Sequence, residues 1–575
     1  MFNKSFLQIQ KNIKKSFSGL KKSKLAILGD TSTQFLNTII RGLGYDYNMD
    51  MEIWEADYDQ IPLQVYNKLS DLYKFNPDFV VVFKSSHKLL QKYNSEKLEN
   101  QSSFAINQME EIKNIYSIIS QNINSKIIFY NYTEINDSIF GNFSNKVETS
   151  FLFQLRKINY LLMEFSITAP NLYICDLSSI QNQVGKGKLF HNSSYINNSM
   201  VLSVDVLPLV AKHTLDIIQT LNGRFNKCII LDLDNTTWGG IIGDDGVEKI
   251  QIGSLGIGKA FSEFQLWVKK LKNRGIIIAV CSKNTESVAV EPFKKHPDMI
   301  LKMEDISVFV ANWENKADNI RHIQNVLNIG FDSMVFIDDN PFERNIVREN
   351  IPEICVPEMP EDPADYLEYL YSLNLFETTS YSDGDYARTK KYQIEAKRIS
   401  SQKKYTNQND FLKSLKMVSK IESFNNFNTP RIAELSQRSN QFNLRTIRYT
   451  EKDIIRLRDS KNHFTFSFNL EDKFGDHGLI CVIILEKQNN NTLFIDTWLM
   501  SCRVLKRGME IFVLNHLVKF CKQNNYKFIA GEYISTPKNA IVKDHYLNLG
   551  FQSKNKYFIL NLDSYKEAIT NIKHD

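Results

Sequence analysis

Residues 227–240, KCIILDLDNTTWGG, constrain this chain more than any other stretch. Ile229, Ile230 and Leu231 form an unbroken branched apolar run that stops at Asp232 and Asp234, with Thr236 close behind. Such a run reads as a parallel strand buried on both faces. The carboxyl end of a strand of this kind opens into the crevice where α/β sheets bind ligands. Two carboxylates placed there repel each other unless a cation or phosphate chemistry holds them. Alone, the pattern also suits an Asp-rich turn closed by an Asx hydrogen bond. The rest of the chain decides between the two.

At 575 residues the chain is too long for one core, and two to four domains are expected. The net charge of +5 is small for this length, and lysines are mixed with acids rather than gathered in a patch. No nucleic-acid partner is therefore expected. The seven cysteines are scattered without a CxxC pair or Cys/His cluster, which predicts reduced thiols in a cytoplasmic protein and no zinc. Residues 1–23 read as a basic surface helix, and no stretch is long and apolar enough for a membrane span.

Organisation follows from the pattern of apolar runs. Residues 24–222 read as an α/β unit with strands at 24–30, 78–86 and 125–132. Residues 223–375 form a second α/β unit, with strands at 228–233, 276–281 and 333–338. A charged, tyrosine-rich segment, 376–420, is expected to be a helical linker. From 421 to 575 the pattern changes to an α+β unit, with strands at 463–468 and 479–485 and helices at 508–524 and 539–549.

Three further segments of the second unit complete the aspartate pair. The run 276–284 delivers Ser282, Lys283 and Asn284 to its carboxyl end; 312–320 supplies Lys316 at a helix start; 334–344 ends in Asp338 and Asp339, followed by Asn340. A hydroxyl, an amine and four carboxylates along one sheet edge match phosphoryl transfer through an aspartyl-phosphate. Asp232 is expected to be the nucleophile, and Asp234 the acid that protonates the leaving oxygen and then activates water. Ser282 and Lys316 are expected to hold the phosphate oxygens. Magnesium needs hard oxygen ligands, which Asp232, Asp338, Asp339 and Asp234 (through its backbone carbonyl) can offer.

In these motifs the chain resembles the haloacid-dehalogenase (HAD) phosphatases, subfamily IIIC, and in particular the FkbH-like proteins. The likeness runs through 232–246, 279–284, 312–316 and 336–344, and continues through 439–449, 474–480, 497–510 and 533–551. It implies a central HAD-like parallel sheet of Rossmann type. Thr236, Lys283, Asn284 and Asn340 are then expected on the substrate side of the site. Only short loops are expected between the first two strands of that sheet, leaving it open to a bulky or protein-borne substrate.

The N-terminal unit, 24–222, is similar to SGNH hydrolases, whose Gly-Asp-Ser turn carries a nucleophile. Here Gly29-Asp30-Thr31 stands in that place and no DxxH follows, so binding or docking is expected rather than hydrolysis. The C-terminal unit resembles GNAT acyltransferases, in which a glycine-containing turn presents helix N–H groups to a pyrophosphate. The turn here carries Lys506, Arg507 and Gly508, with Lys506 where those enzymes have a first glycine. A side chain there obstructs close backbone approach, which favours the phosphopantetheine arm of a carrier protein over an acyl-CoA. Tyr546 is either a general acid or a core tyrosine.

FkbH-like proteins are associated with moving the glyceryl group of 1,3-bisphosphoglycerate to an acyl-carrier protein with loss of phosphate. A cysteine thioester is an attractive intermediate. Cys502, beside Arg503, and Cys281, beside Ser282, are the candidates, each with a buried inert thiol as its alternative. Two other readings stay open: a plain phosphatase of a small phosphorylated metabolite or sugar, and a non-catalytic assembly module.

Overall fold

The computed structural model describes residues 4–15, 17–381, 392–394, 398, 407–489, 491–501, 504–505, 507–536 and 538–575. Two compact units are present, residues 1–220 with 372–374, and residues 221–371 with 375–575. Of segment 376–420, expected to be a helical linker, residues 382–391, 395–397 and 399–406 lie outside the described residues, as do Cys502, Arg503 and Lys506. Its described part includes the helix Gln408–Ser414 but ends in a strand, Met417–Ser419.

In the first unit, β1 (Lys21–Gly29), β2 (Met49–Glu55), β3 (Phe79–Phe83), β4 (Lys126–Tyr130) and β5 (Leu172–Cys175) form one parallel sheet in the order β2-β1-β3-β4-β5. Residues 25–28 and 80–82 are fully buried, as a parallel sheet covered by helices on both faces requires. Among the described residues ahead of β1, the basic helix expected over 1–23 is a short helix, Phe6–Gln10, followed by a 3-10 turn, Lys11–Lys14.

The second unit contains two sheets. In the smaller, β6 (Cys228–Leu231), β7 (Ile277–Ser282), β8 (Ile306–Ala311) and β9 (Met334–Ile337) run parallel in the order β8-β7-β6-β9. Leu231 lies opposite Val280 on β7 and Ile337 on β9. Asp232 and Asp338, one residue beyond that register, are thus brought side by side, with β-strands about 4.8 Å apart. Residues 232–276, between β6 and β7, carry the helices Ile242–Asp245 and Gly256–Asn273 rather than short loops alone. The longer helix packs Phe261, Phe264 and Val268 into the core, so this connection builds no separate cap.

The larger sheet contains β10 (Met417–Ser419), β11 (Ile421–Glu422), β12 (His463–Asp472), β13 (Gly475–Asn489), β14 (Thr492–Met500), β15 (Phe528–Glu532), β16 (Gln552–Lys554), β17 (Tyr557–Asn561) and β18 (Ile572–His574). Most neighbours are antiparallel, but β10 pairs with β18 in parallel, and so do β14 and β15, joined through the helix Met509–Gln523. The fold class is therefore α/β with two parallel sheets and an α+β region. The helix expected at 539–549 is instead a 3-10 turn, Ala540–Val542, and one short helical turn, His545–Asn548.

Candidate phosphoryl-transfer site

Asp232 leaves β6 with its N–H donating to the Ile337 carbonyl at 3.0 Å, which ties it to β9. The chain then turns sharply. Thr237 Oγ1 donates to the Asp232 carbonyl (2.6 Å), and Asn235 takes a left-handed φ of 53°. Asn is among the few non-glycine residues that adopt this conformation readily. The Tyr366 hydroxyl and the Gly240 N–H bind the Asn235 carbonyl and side chain respectively, holding the turn from both sides.

Around that turn the predicted residues converge. Lys316 begins its helix at the edge of the site and is 2% exposed. Its ammonium donates to Asp338 Oδ2 at 2.6 Å and lies 3.1 Å from Asp232 Oδ1. The latter contact is an ion pair without hydrogen-bond alignment, and Asp232 Oδ1 finds no hydrogen-bond partner among the described residues. Burial works against the charged lysine, but Asp232 and Asp338 outweigh it and hold Lys316 above the ordinary lysine range. Burial, then the charge of Asp232, pushes Asp338 well above the usual carboxylate range despite Lys316. Burial also raises Asp339, against its hydrogen bond from Thr236.

Oxygens of Asp232, Asp338 and Asp339 lie within 4.8 Å of one another. Three hard carboxylate donors facing one ammonium form a donor set suited to a divalent cation such as magnesium. A cation there would reverse the upward shifts, because it favours the charged carboxylates. The Asp234 side chain is not part of this trio. Its Oδ1 accepts from Trp238 Nε1 and the Ile242 N–H, both at 3.0 Å, and its Oδ2 from Asn284 Nδ2 at 2.9 Å. Asn284 Nδ2 also reaches Ser282 Oγ at 3.2 Å, so Asp234, Asn284 and Ser282 form one chain of hydrogen bonds.

The structure assigns other tasks to several residues expected on the substrate side. Thr236 is fully buried, with its hydroxyl donating to Asp339 Oδ1 and accepting from the Asp339 N–H, both at 3.0 Å. Its hydroxyl is therefore engaged with Asp339. Asn340 caps the helix Pro341–Asn350 through Oδ1, while its N–H donates to Asp338 Oδ1 at 2.9 Å. Lys283 pairs with Glu343 at 2.6 Å and keeps about a third of its side chain exposed. Sequence reasoning passed over Trp238, Glu343 and Arg344. The Arg344 guanidinium donates to the carbonyls of Asp338 and Asp339 at 2.8 and 2.6 Å, so it holds the acidic turn from below. The only signal for it was its place in the same segment, five residues beyond Asp339.

The acyl-transfer candidates fare differently. Cys281 is fully buried, its thiol donates to the Lys316 carbonyl, and burial pushes it far from the thiolate form despite the ammonium nearby. Arg507 is also buried: its guanidinium lies 3.2 Å from Asp472 Oδ2 and 3.1 Å from His477 Nε2. Both contacts engage it inside the core. Gly508 sits at a left-handed φ of 80° immediately before the helix Met509–Gln523. Tyr546 is a core residue stacked on Phe558, and burial raises its hydroxyl far above the ordinary tyrosine range.

Comparison with known proteins accords with this geometry. The FkbH N-terminal domain family matches residues 24–219. The crystal structure of the N-terminal part of a Bacteroides fragilis protein, containing a phosphatase domain complexed with Mg, is 54% identical. The match covers 66% of this chain and all of that one, with a TM-score of 0.64. The chain belongs to the FkbH-like HAD phosphatases. An Escherichia coli ribosomal-protein-S18-alanine N-acetyltransferase is 14% identical to this FkbH-like chain, over 26% of it and 99% of the other, with a TM-score of 0.21. A Vibrio cholerae spermidine/spermine N-acetyltransferase is 12% identical over 26% and 95%, also with a TM-score of 0.21. No curated protein matches the FkbH-like chain. No helix among its described residues is long and apolar enough to cross a membrane.

Proposed function

We propose that this chain is a magnesium-dependent phosphatase and glyceryl transferase. In this reading it takes a phosphorylated three-carbon acyl donor such as 1,3-bisphosphoglycerate and loads the thiol of an acyl-carrier protein. The observation that carries the phosphatase half is Asp232, held beside Lys316, Asp338 and Asp339 with Asp234 two residues on. Asp232 attacks phosphorus, and Asp234 delivers a proton to the departing alkoxide. Asp234 then takes a proton from the water that cleaves the aspartyl-phosphate. Lys316 and Ser282 hold the phosphoryl oxygens. Magnesium, carried over from the Bacteroides fragilis relative, supplies positive charge that lets a carboxylate approach a phosphate dianion. Asp232, Asp338 and Asp339 would hold it.

Two exposed aromatics support a protein-borne substrate. Trp313 (73% exposed) precedes Lys316 in its loop, and Phe342 (66% exposed) opens the helix that follows Asp338 and Asp339. Exposed aromatics beside a site suit a docking partner. In the transfer half, the carrier thiol attacks the acyl phosphate carbon and gives its proton to the departing phosphate, forming a phosphoglyceryl thioester. Hydrolysis of the remaining phosphate ester at Asp232, before or after transfer, leaves the glyceryl thioester. The buried Cys281 thiol is unsuited to serve as an intermediate carrier. The same burial of Cys281, Arg507 and Tyr546 favours a second reading, a plain phosphatase of a small phosphorylated metabolite or sugar.

Intact-mass measurement separates the two. With 1,3-bisphosphoglycerate, magnesium and a holo carrier protein, a glyceryl increment is expected on the carrier. Phosphate release from simple esters with no increment on either protein would leave only the phosphatase. Magnesium added to chelator-treated protein is expected to raise its unfolding temperature, because binding to the folded state alone stabilises it. Asp338→Asn is expected to weaken that binding at least tenfold, read by calorimetry; unchanged affinity would remove Asp338 from the ligand set.

A further inference from the structure

We propose that the N-terminal unit binds a small hydroxyl-bearing anion, a carboxylate or phosphate monoester of a short polyol, at the carboxyl ends of β1 and β3. The order β2-β1-β3-β4-β5 places neighbours of β1 on opposite sides, so the connections leaving β1 and β3 diverge. That divergence is the point at which doubly wound sheets bind ligands. A cavity of about 400 Å³ lies there, lined among others by Asp30 after β1, Lys84 and Ser85 after β3, Lys88 and Lys92 on the helix Ser86–Ser95, and Tyr132 beyond β4. Its volume is within the range of small-molecule sites.

Tyr132 gives the independent pointer to a ligand. It is 1% exposed, lines the cavity, and its hydroxyl has no hydrogen-bond partner among the described residues. A buried hydroxyl left unmatched costs on the order of 1–3 kcal/mol, so its retention calls for an acceptor that arrives with the ligand. The charges on the wall point to an anion. Lys84 and Lys92 share one carboxylate, Glu111, each at 2.6 Å. Among the described residues, the ion pair of Lys88 is a longer contact with Asp59, at 3.4 Å. Asp30 opposes them with only part of a charge near neutral pH, because burial pushes its carboxyl up to about 7, although Ser85 and Lys84 resist. Its oxygens accept the Ser85 N–H at 2.9 Å and can also meet a ligand hydroxyl.

The cavity is equipped for binding rather than hydrolysis. Thr31, in the nucleophile position of the related hydrolases, is fully buried. Ser85 Oγ caps the helix Ser86–Ser95 by accepting from the Lys88 N–H at 3.2 Å. This site is independent of the phosphatase reading, and each can fail without the other.

The test uses full-length protein in chelator, with glycerol 3-phosphate, glycerate and glycerol as probes. Amide hydrogen exchange locates binding, and calorimetry measures it. Slowed exchange at residues 84–92 and 130–133 is expected with glycerol 3-phosphate or glycerate, and whichever binds more tightly identifies the anionic group recognised. Tyr132→Phe is expected to weaken binding about three- to tenfold, with an unfolding temperature equal to or above that of the parent. Lys88→Met is expected to weaken it at least tenfold. Protection absent from both segments would overturn the proposal. So would glycerol binding as tightly as the anions, or both variants keeping the parent affinity.

Discussion

Asp232→Asn is expected to abolish phosphate release while leaving the fold intact. An amide keeps the shape of the carboxylate but cannot form the aspartyl-phosphate, so the covalent route is closed. Loss of a nucleophile costs on the order of 10⁴-fold or more in turnover, as in other enzymes whose catalytic groups act as a unit. Stability should move the other way. Asp232 lies beside Asp338 and contributes to that residue's upward shift, so a neutral side chain relieves repulsion in the chelated protein. Phosphate release from a simple aryl ester, measured with magnesium, reports the first effect, and thermal unfolding in chelator the second. Turnover above a tenth of the parent value would assign the nucleophile elsewhere.

The strands that carry this site were legible because their chemistry is local. Cys228–Leu231, Ile277–Ser282 and Met334–Ile337 are unbroken apolar runs, and each ends at a polar residue that cannot continue into the core. Ile306–Ala311 escaped notice because Ser307 interrupts it. Met49–Glu55 escaped because Asp50 and Glu52 alternate with its apolar residues, as befits the edge strand of its sheet.

Side-chain tasks were less legible than strands. Thr236 finds Asp339, 103 residues away, so no local pattern says that its hydroxyl is engaged there. Arg507 stands in a turn that reads as exposed, yet Asp472 and His477 reach it from the preceding hairpin, 35 and 30 residues earlier. Cys281 shows the reverse. Its place inside a buried run already argued for an inert thiol, and the residue is fully buried with its thiol pushed away from the thiolate form.

Lys316→Met is expected to be the most destabilising single change at the site. The ammonium touches both Asp232 and Asp338, and all three groups are at least nine-tenths buried. Removing one partner from a buried ion cluster leaves uncompensated charge and costs about 3–5 kcal/mol. A methionine fills a similar volume, so the loss is electrostatic rather than a cavity effect. The pH dependence follows from the direction of the shift at Asp338. A carboxyl whose folded value is raised binds its proton more readily in the folded than in the unfolded chain, so lowering the pH stabilises the fold. Without Lys316 that shift is larger, and the deficit should shrink on acidification from about pH 7.5 to 5.5, where the raised carboxyl takes up its proton. Magnesium should reduce it too, because the cation replaces the missing positive charge among the three carboxylates. Urea unfolding of parent and variant at both pH values, in chelator and in magnesium, measures all three effects. Equal stability of the two proteins in chelator at pH 7.5 would mean that Lys316 does not neutralise this cluster. The catalytic loss need not follow the stability. With magnesium present the variant is expected to fold and still turn over at least a hundredfold more slowly, because the phosphoryl oxygens lose a donor aimed at the charge they develop.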